Sequence, residues 1–255
     1  MGKLFTFVTP KSETMKNLFL FALVILVLAS GCRGGFGKRE RGSGHIISDT
    51  RSITGFNSID VSGAIDVFVR QDSSTSVKVE TDDNLLQYVE VYTDNSRLVI
   101  KTRRGVWISP TNTIKVYVSN PLYREFEVSG ASSIHSENEI TSGEMLRVDL
   151  TGASNGKLEF NAPRISVDLS GASDLTIRGR TKDFEGGASG ASQVRCFDLL
   201  TENADVEASG ASSVEVYASV RIIPHASGAS SISYKGNAVI QDKSESGASS
   251  VKKVD

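Results

Sequence analysis

The sequence predicts an all-β fold, a parallel β-helix or β-solenoid with coils of about 19 residues. Three observations support this prediction. The tripeptide Gly-Ala-Ser recurs at a regular spacing, apolar residues align in columns when the copies are superimposed, and no segment after residue 45 shows the 3.6-residue apolar period of a helix. A sandwich of meandering strands is the alternative, but it does not explain a near-identical tetrapeptide at every turn.

The repeat itself sets the length of the coil. Gly-Ala-Ser copies begin at glycines separated by 22, 19, 19, 20, 18 and 19 residues, each preceded by Ser or Thr: Gly130, Gly152, Gly171, Gly190, Gly210, Gly228 and Gly247. A degenerate copy, Ser62-Gly63-Ala64, opens the domain. Glycine at this position predicts a backbone with φ > 0 or a close approach between neighbouring coils. We expect the alanine to fill a narrow corner and the serine hydroxyls to hydrogen-bond in a ladder. A polar serine face that binds a ligand is the functional alternative.

The residues around each glycine alternate between apolar and polar, as expected for strands with one buried face. The positions two before, four after and six after the glycine are mostly apolar. Cys196 falls in the last of these columns, so we predict that it is buried and unreactive. In the final coil Glu245 and Lys253 fall in two of these columns, and Lys243 falls in another column that is mostly apolar elsewhere. A polar terminal coil would prevent end-to-end aggregation.

The N-terminal residues predict export. Leu18 to Ala29 is an unbroken apolar run, preceded by Lys16, and it has the length of a signal-peptide core rather than of a membrane span. Leu28-Ala29-Ser30-Gly31-Cys32 resembles the lipobox of bacterial lipoproteins, which implies cleavage before Cys32 and a diacylglycerol on its thiol. Residues 1–31 would then be the signal peptide. An ordinary signal peptide or an N-terminal membrane anchor is the alternative, and the natural start could be Met1 or Met15.

Two segments follow the signal. Residues 32–45 are rich in glycine and charge, which predicts a flexible tether. Residues 46–255 form the predicted solenoid, with irregular first coils at 46–123 and regular coils at 124–255. Within the irregular part the alternation predicts strands, with a turn at Asp94-Asn95-Ser96: Ile65 to Val69, Val77 to Glu80, Tyr88 to Tyr92, Leu98 to Lys101 and Ile114 to Val118.

The order of these features resembles a known family. Phe56-x-x-Ile59-x-Val61-Ser62-Gly63 leads into Val67-x-Val69, a Leu98-x-Ile100 strand, a strand ending near Pro121, and then serial Ser-Gly-Ala units. This pattern is similar to the auto-transporter adhesin head GIN domain family of Bacteroidetes envelope proteins, from about Ile53 to Asp255. The resemblance implies a right-handed β-helix. It specifies function poorly, because one fold serves many functions.

Composition and residue spacing limit the partners and the kinds of site that we expect in this protein. The net charge of −2 argues against a nucleic-acid partner, and two cysteines exclude a disulfide-rich framework. His45, His135 and His225 lie far apart without other metal ligands, so we predict no metal, no cofactor and no catalytic residue. Asp149, Asp168 and Asp205 should point outward and could line up. Isolated, solvated charges are the simpler interpretation of these three.

One loop is a candidate contact site for a ligand. It contains Arg103, Arg104 and Trp107, the only tryptophan of the chain. An exposed indole beside two guanidinium groups could stack on a sugar or on an aromatic partner. The more common arrangement, a tryptophan packed over the apolar end of the solenoid, is favoured over it.

Together these features predict a non-enzymatic lipoprotein of the cell envelope, in the outer membrane. It would act as an adhesin or scaffold that presents a solenoid surface to a glycan or an envelope protein. The membrane would be reached through the N-terminal lipid. A polysaccharide-active β-helix enzyme and a purely structural envelope component are the alternatives. A cleft with convergent carboxylates would favour the enzyme.

Overall fold

The computed structural model describes residues 38–255. The predicted signal peptide and the predicted lipid attachment site at Cys32 lie outside these residues. The described residues form a β-solenoid of about six turns with stacked parallel coils, and this confirms the predicted fold class.

The N-terminal part of the solenoid contains nine strands and one short 3₁₀ helix at Leu86–Tyr88. The strands are β1 (Lys38–Arg41), β2 (Ile46–Arg51), β3 (Ser58–Ser62), β4 (Ile65–Gln71), β5 (Ser76–Asp82), β6 (Val89–Asp94), β7 (Arg97–Thr102), β8 (Val106–Ser109) and β9 (Ile114–Asn120).

The regular part contains fourteen strands, two of which run through a whole coil. They are β10 (Glu125–Val128), β11 (Ser133–Ser136), β12 (Ile140–Thr141), β13 (Leu146–Leu150), β14 (Asn155–Leu169), β15 (Asp174–Ala188), β16 (Gln193–Cys196), β17 (Leu199–Ala208), β18 (Ser213–Tyr217), β19 (Arg221–Ala226), β20 (Ser231–Lys235), β21 (Val239–Ile240), β22 (Ser244–Glu245) and β23 (Ser250–Lys253).

Each coil places one strand before its Ser-Gly-Ala-Ser corner and one after it. The strands before the corner stack as side A, in the order β6, β7, β3, β10, β13, the later parts of β14, β15 and β17, then β19 and β22. The strands after the corner stack as side B, in the order β2, β5, β9, β4, β11, the first parts of β14 and β15, then β16, β18, β20 and β23.

The aligned apolar columns form one core between the two sides. Cys196 is fully buried, as predicted, and has no disulfide partner among residues 38–255. Tyr123, Phe126 and Phe160 pack against one another in this core, with ring centroids 5.5 Å apart for Tyr123 and Phe126 and 5.8 Å apart for Phe126 and Phe160. On each side, neighbouring strands place apolar residues opposite one another, as Phe126 lies opposite Val148, so the buried columns continue from coil to coil.

The corner explains why glycine recurs. All seven repeat glycines have φ between +72° and +81°. A Cβ atom on any of them would lie within 2.8 Å of the carbonyl oxygen of the equivalent glycine in the preceding coil. Both predicted reasons for glycine are therefore confirmed. The alanine N–H that follows donates to that same glycine oxygen at 2.7–2.8 Å, from Ala131 through Ala248. The hydrogen-bonded ladder thus continues through the corner without a break.

The two neighbours of the glycine are arranged differently from our expectation. The alanines are exposed, and the serines that follow them point inward. In most coils this inner hydroxyl donates to a main-chain carbonyl at the start of the corner, as Ser173 does to Ser170 at 2.9 Å and Ser212 to Ser209 at 2.8 Å. The prediction of an inward alanine and a hydroxyl-to-hydroxyl ladder was wrong, because a buried hydroxyl here has an unpaired carbonyl within its own turn.

Residues 46–123 contain coils of the solenoid, but these coils are not stacked in chain order. Strands β3 and β4 lie between the β7–β9 coil and the β10–β11 coil. Beyond β7 and β9 the pairing becomes antiparallel, with β6 against β7 and β5 between β9 and β2. Asn95 and Ser96 have positive φ and connect β6 to β7, so the predicted turn is confirmed.

The structure also differs from the predicted tether over its last residues. β1 pairs with β8 in a separate two-stranded sheet. The following turn is held by Asp82, whose carboxylate accepts hydrogen bonds from the N–H groups of Gly44 at 2.8 Å and Thr111 at 2.9 Å. These charged residues form a strand because neighbouring segments of the same chain supply both main-chain and side-chain hydrogen-bond partners.

The last coil is polar, as predicted, and its strands are short. β21 and β22 have two residues each, and Lys243, Glu245 and Lys253 are exposed at positions that are apolar in earlier coils. Glu245 accepts a hydrogen bond from the N–H of Val251 and forms an ion pair with Lys243 at 3.3 Å. These contacts cover the end of the core with charge and discourage pairing with another sheet edge.

Candidate binding surface

Side A carries a row of carboxylates. One outward position, three residues before each corner glycine, is acidic in five coils and in direct register from strand to strand: Asp60, Glu127, Asp149, Asp168 and, beyond Gly187, Glu207. We refer to these five residues as the carboxylate row. A parallel row two residues earlier adds Glu125, Glu185 and Asp205. Where two members lie on neighbouring strands, as Glu127, Asp149 and Asp168 do, their backbones are about 4.8 Å apart and their charges interact.

One end of the row is neutralised. The guanidinium of Arg97 contacts Glu127 at 2.6 Å and Glu125 at 3.0 Å. One carboxylate oxygen each of Glu125, Glu127 and Asp149 lies within 4.8 Å of the other two. Because Arg97 already binds two of the three, this cluster is an ion-pair network as it stands.

Asp149 is a half-buried member of the carboxylate row. Partial burial raises the pKa of Asp149 above the usual carboxyl range, and nearby Asp168, Glu125 and Glu127 act in the same direction, while Arg147 opposes them. A carboxyl whose charge is disfavoured in this way donates a hydrogen bond more readily than a solvated one.

The row is interrupted by a notch at Gly187. Gly187 stands between Asp168 and Glu207 in the register, and an added Cβ would meet nothing closer than the Asp168 carboxylate oxygen at 3.6 Å. Two shallow grooves of about 300 and 370 Å³ meet there. One is lined by Arg147, Asp168, Glu185, Asp205 and Glu207, and the other continues past Ser189, Ser209, His225, Ser227 and Ser244. The notch therefore exposes carboxylates, hydroxyls and an imidazole on a flat sheet.

Side B carries a different kind of row. Tyr117, Phe68 and His135 stack with centroids 5.2 and 5.4 Å apart, and the ammonium of Lys78 lies 4.4 Å from the centre of the Tyr117 ring. Because the rings cover one another, their faces are occupied. His135 contacts the Ser133 hydroxyl at 3.1 Å, and that hydroxyl donates to Asp66 at 2.5 Å. The order carboxylate–serine–imidazole leaves the serine proton on the carboxylate side, unlike a hydrolytic triad.

The predicted loop residues are spread over the end of the solenoid near β7. Trp107 is 63% exposed, so its ring does not pack over the core as favoured from the sequence. Its neighbour Ile108 takes that position instead. Arg103 forms an ion pair with Glu90 at 3.2 Å and lies over the Tyr88 ring. Arg104 is exposed. A ligand contact at these three residues stays a prediction.

Sequence reasoning found part of the carboxylate row and missed the rest. Asp149 and Asp168 were expected to point outward, and they do so in direct register; Asp205 lies opposite Glu185 in the adjacent row. Glu127 and Glu207 occupy the same repeat position and could have been found by aligning every outward column. Asp60 also lies three residues before the glycine of the degenerate copy, but its place beside Glu127 could not have been found, because that coil is out of chain order.

Comparisons with known proteins agree with this architecture. The sequence profile of the family described as "Putative auto-transporter adhesin, head GIN domain" matches residues 55–238. The chain belongs to this family. Membership of this family supports an adhesin-like protein of the cell envelope. A search of curated proteins finds no match. No helix within residues 38–255 has the length and apolarity needed to cross a membrane.

Solved structures share the fold of this head GIN domain. A structure titled putative adhesin from Bacteroides fragilis has a TM-score of 0.80 at 19% identity, covering 84% of this chain and 100% of its own. A putative adhesin from Parabacteroides merdae scores 0.72 at 18% identity, and a putative lipid binding protein from Parabacteroides distasonis 0.71 at 19%. Each of these two covers 86% of this chain and 100% of its own. At such identities the likeness concerns the fold.

Proposed function

We propose that this protein is a non-enzymatic, lipid-anchored adhesin of the cell envelope that binds a glycan along side A. The observation that carries the proposal is the notch at Gly187, where two polar grooves meet on a rigid, flat sheet. Carboxylate oxygens accept hydrogen bonds from sugar hydroxyls, and serine hydroxyls can donate or accept them. The lipid on Cys32 would hold this surface at the outer membrane.

The lining of the grooves favours a glycan over a protein partner. The side chains that line the two grooves are carboxylates, hydroxyls, one guanidinium, one imidazole, alanines and one valine. The centres of protein–protein interfaces are instead enriched in aromatic residues and depleted of aspartate and glutamate. Relatives titled putative adhesins are consistent with a binding role.

A glycan and envelope-component screen with residues 38–255 tests the proposal. This segment keeps all the strands given above. Gly187→Gln fills the notch without positive-φ strain and should abolish binding, whereas Gly143→Gln, at another open glycine, should leave binding unchanged. Equal binding by both variants would remove the notch from the site. If the wild type binds nothing, a purely structural role replaces the adhesin.

A polysaccharide-active enzyme is the second candidate, favoured by the raised pKa of Asp149 beside further carboxylates on side A. Any glycan that binds should therefore be incubated with the protein and assayed for new reducing ends. We expect none. Release that is lost in Asp149→Asn would support the enzyme instead.

A further inference from the structure

The sheet formed by β1 and β8 has a distinct outer side. In β8 exposure alternates, with Trp107 exposed between half-buried Val106 and Ile108, and in β1 Arg39 and Arg41 are exposed on either side of a half-buried residue. Trp107 is the only tryptophan of the chain and 63% exposed. An indole ring held outward on a strand, with its neighbours anchored inward, is available to a partner rather than to the core.

Several arginines beside this indole have no ion-pair partner within the described part of the chain. No ion pair joins Arg39, Arg41 or Arg104 to any other residue of the range 38–255, whereas Arg103 is paired with Glu90. Arg104 lies in the turn that leads into β8. The outer side of this sheet, defined by Arg39, Arg41, Arg104 and Trp107, thus combines free guanidinium groups with an amphipathic ring. We refer to it as the Trp107 patch.

The chain length fixes where this patch can be. Arg39 is seven residues after Cys32. Seven residues span at most about 25 Å, whatever their path, because each adds no more than about 3.6 Å. If Cys32 carries the lipid, as in the proposed function, β1 cannot leave the neighbourhood of the membrane surface.

We propose that the Trp107 patch rests on the phospholipid headgroups and orients the solenoid on the membrane. The inference rests on the lipid anchoring in the proposed function and adds a second contact to it. Tryptophan favours the boundary between headgroups and acyl chains, since its ring is apolar and its N–H needs a polar partner. Unpaired arginines are attracted to anionic lipid headgroups. One acyl anchor alone would leave the domain free to rotate, whereas this patch restricts which side faces outward.

The single tryptophan allows a direct test with the full chain. The lipoprotein is isolated from membranes and reconstituted in vesicles of phosphatidylcholine and phosphatidylglycerol, some carrying lipids brominated near the headgroup. We expect Trp107 emission to shift to shorter wavelength and to be quenched several-fold by the brominated lipid. Arg39→Gln with Arg41→Gln should reduce that quenching several-fold.

A relocated tryptophan is the matched control. Trp107→Phe combined with Val239→Trp places an equally exposed ring on the last coil, at the other end of the solenoid. Its emission should not be quenched by brominated lipid. Equal quenching of both proteins would show general association and overturn the Trp107 patch.

Two further measurements distinguish failure of the Trp107 patch from failure of the lipid anchoring on which it depends. Mass spectrometry first determines whether Cys32 is acylated, and flotation determines whether the protein stays with the vesicles. An unacylated, non-floating protein removes the anchoring proposal and the patch with it. An acylated, floating protein whose Trp107 is quenched by aqueous iodide and not by brominated lipid overturns the patch alone. Protection of Trp107 from iodide by a soluble sugar, without lipid quenching, would assign the patch to a glycan.

Discussion

The two parts of the solenoid keep their strands in register by different means. In residues 124–255 the backbone does it, because each corner glycine sits directly against the previous one and the next N–H binds its carbonyl. In residues 46–123 buried polar side chains do it, since Asp82 and Asn120 join segments that are distant in the chain. The first arrangement repeats along the sequence and the second occurs once, so only the first is visible as a period.

The largest loss of stability is expected at the glycine corner. Gly190→Ala would combine positive φ with a Cβ 2.6 Å from the Gly171 oxygen. We expect it to lower the free energy of unfolding by about 4 kcal/mol, from left-handed strain and overpacking together. The matched control is Gly105→Ala, where φ is +81° and no atom lies within 4 Å. It should cost only about 1–2 kcal/mol. Equal losses in urea unfolding would mean that coil-to-coil contact contributes nothing.

The next largest loss is expected at Asn120 in the N-terminal part. Its amide donates to the carbonyls of Phe56 at 3.0 Å and Leu122 at 2.6 Å and accepts from the Thr75 hydroxyl at 3.0 Å. Asn120→Ala should lower the unfolding free energy by about 3 kcal/mol, because it leaves buried carbonyls unpaired. Asn203→Ala removes one partly buried contact with Asp183 and should cost less than about 1 kcal/mol. Thermal and urea unfolding of both variants measure the difference.

Asp82→Asn should have an intermediate effect that depends on pH. Burial favours the neutral acid, but the N–H groups of Thr111 and Gly44 outweigh it and lower the pKa of Asp82 below the usual carboxyl value. A lowered pKa contributes stability above about pH 3.9 that is lost as pH falls through the folded-state pKa. Replacing one acceptor oxygen by NH₂ should cost about 2 kcal/mol near neutral pH. The gap from wild type should narrow below pH 4; a gap that is constant with pH would exclude the charge as its cause.

The smallest loss of stability is expected at Cys196, which tests the packing of the regular coils. In residues 38–255 it is the only cysteine, and burial raises its pKa. Its thiol should stay unreactive toward a disulfide reagent in the native state and react fully in urea. Cys196→Ala should lower stability by about 1 kcal/mol. Rapid labelling without denaturant would mean that this coil opens locally.

The sequence predicted the structural features that repeat from coil to coil. It did not predict those that depend on residues distant in the chain. The buried columns, the conformation of the corner glycines, the polar last coil and the burial of Cys196 all followed from the period, because each coil has the same environment. The order of β3, β4, β7 and β9 did not follow, since parallel pairing of distant strands leaves no local signal. Likewise, Lys38–Arg41 looked like tether because its strand depends on β8, nearly 70 residues away.

The residues of the candidate surface show the same difference between features that repeat and features that depend on distant strands. Asp149 and Asp168 were found because they share a repeat position, whereas the Arg97 pairing with Glu125 and Glu127 depends on the out-of-order coil. The notch at Gly187 was missed because Gly187-Ala188-Ser189 is an extra copy that runs directly into Gly190 and lies outside the regular spacing. Its glycine in fact occupies an outward position of the carboxylate row.

Amide hydrogen exchange at the corners tests most directly whether Gly-Ala-Ser belongs to the hydrogen-bonded frame. The alanines of the corner are exposed, yet their N–H groups donate to glycine oxygens of the preceding coil, as Ala153, Ala172, Ala191 and Ala211 do. We predict that these amides exchange as slowly as those of the buried strand residues, through opening of whole coils. Exchange at the rate of the exposed Arg103–Gly105 turn would contradict the account and make the corners ordinary loops.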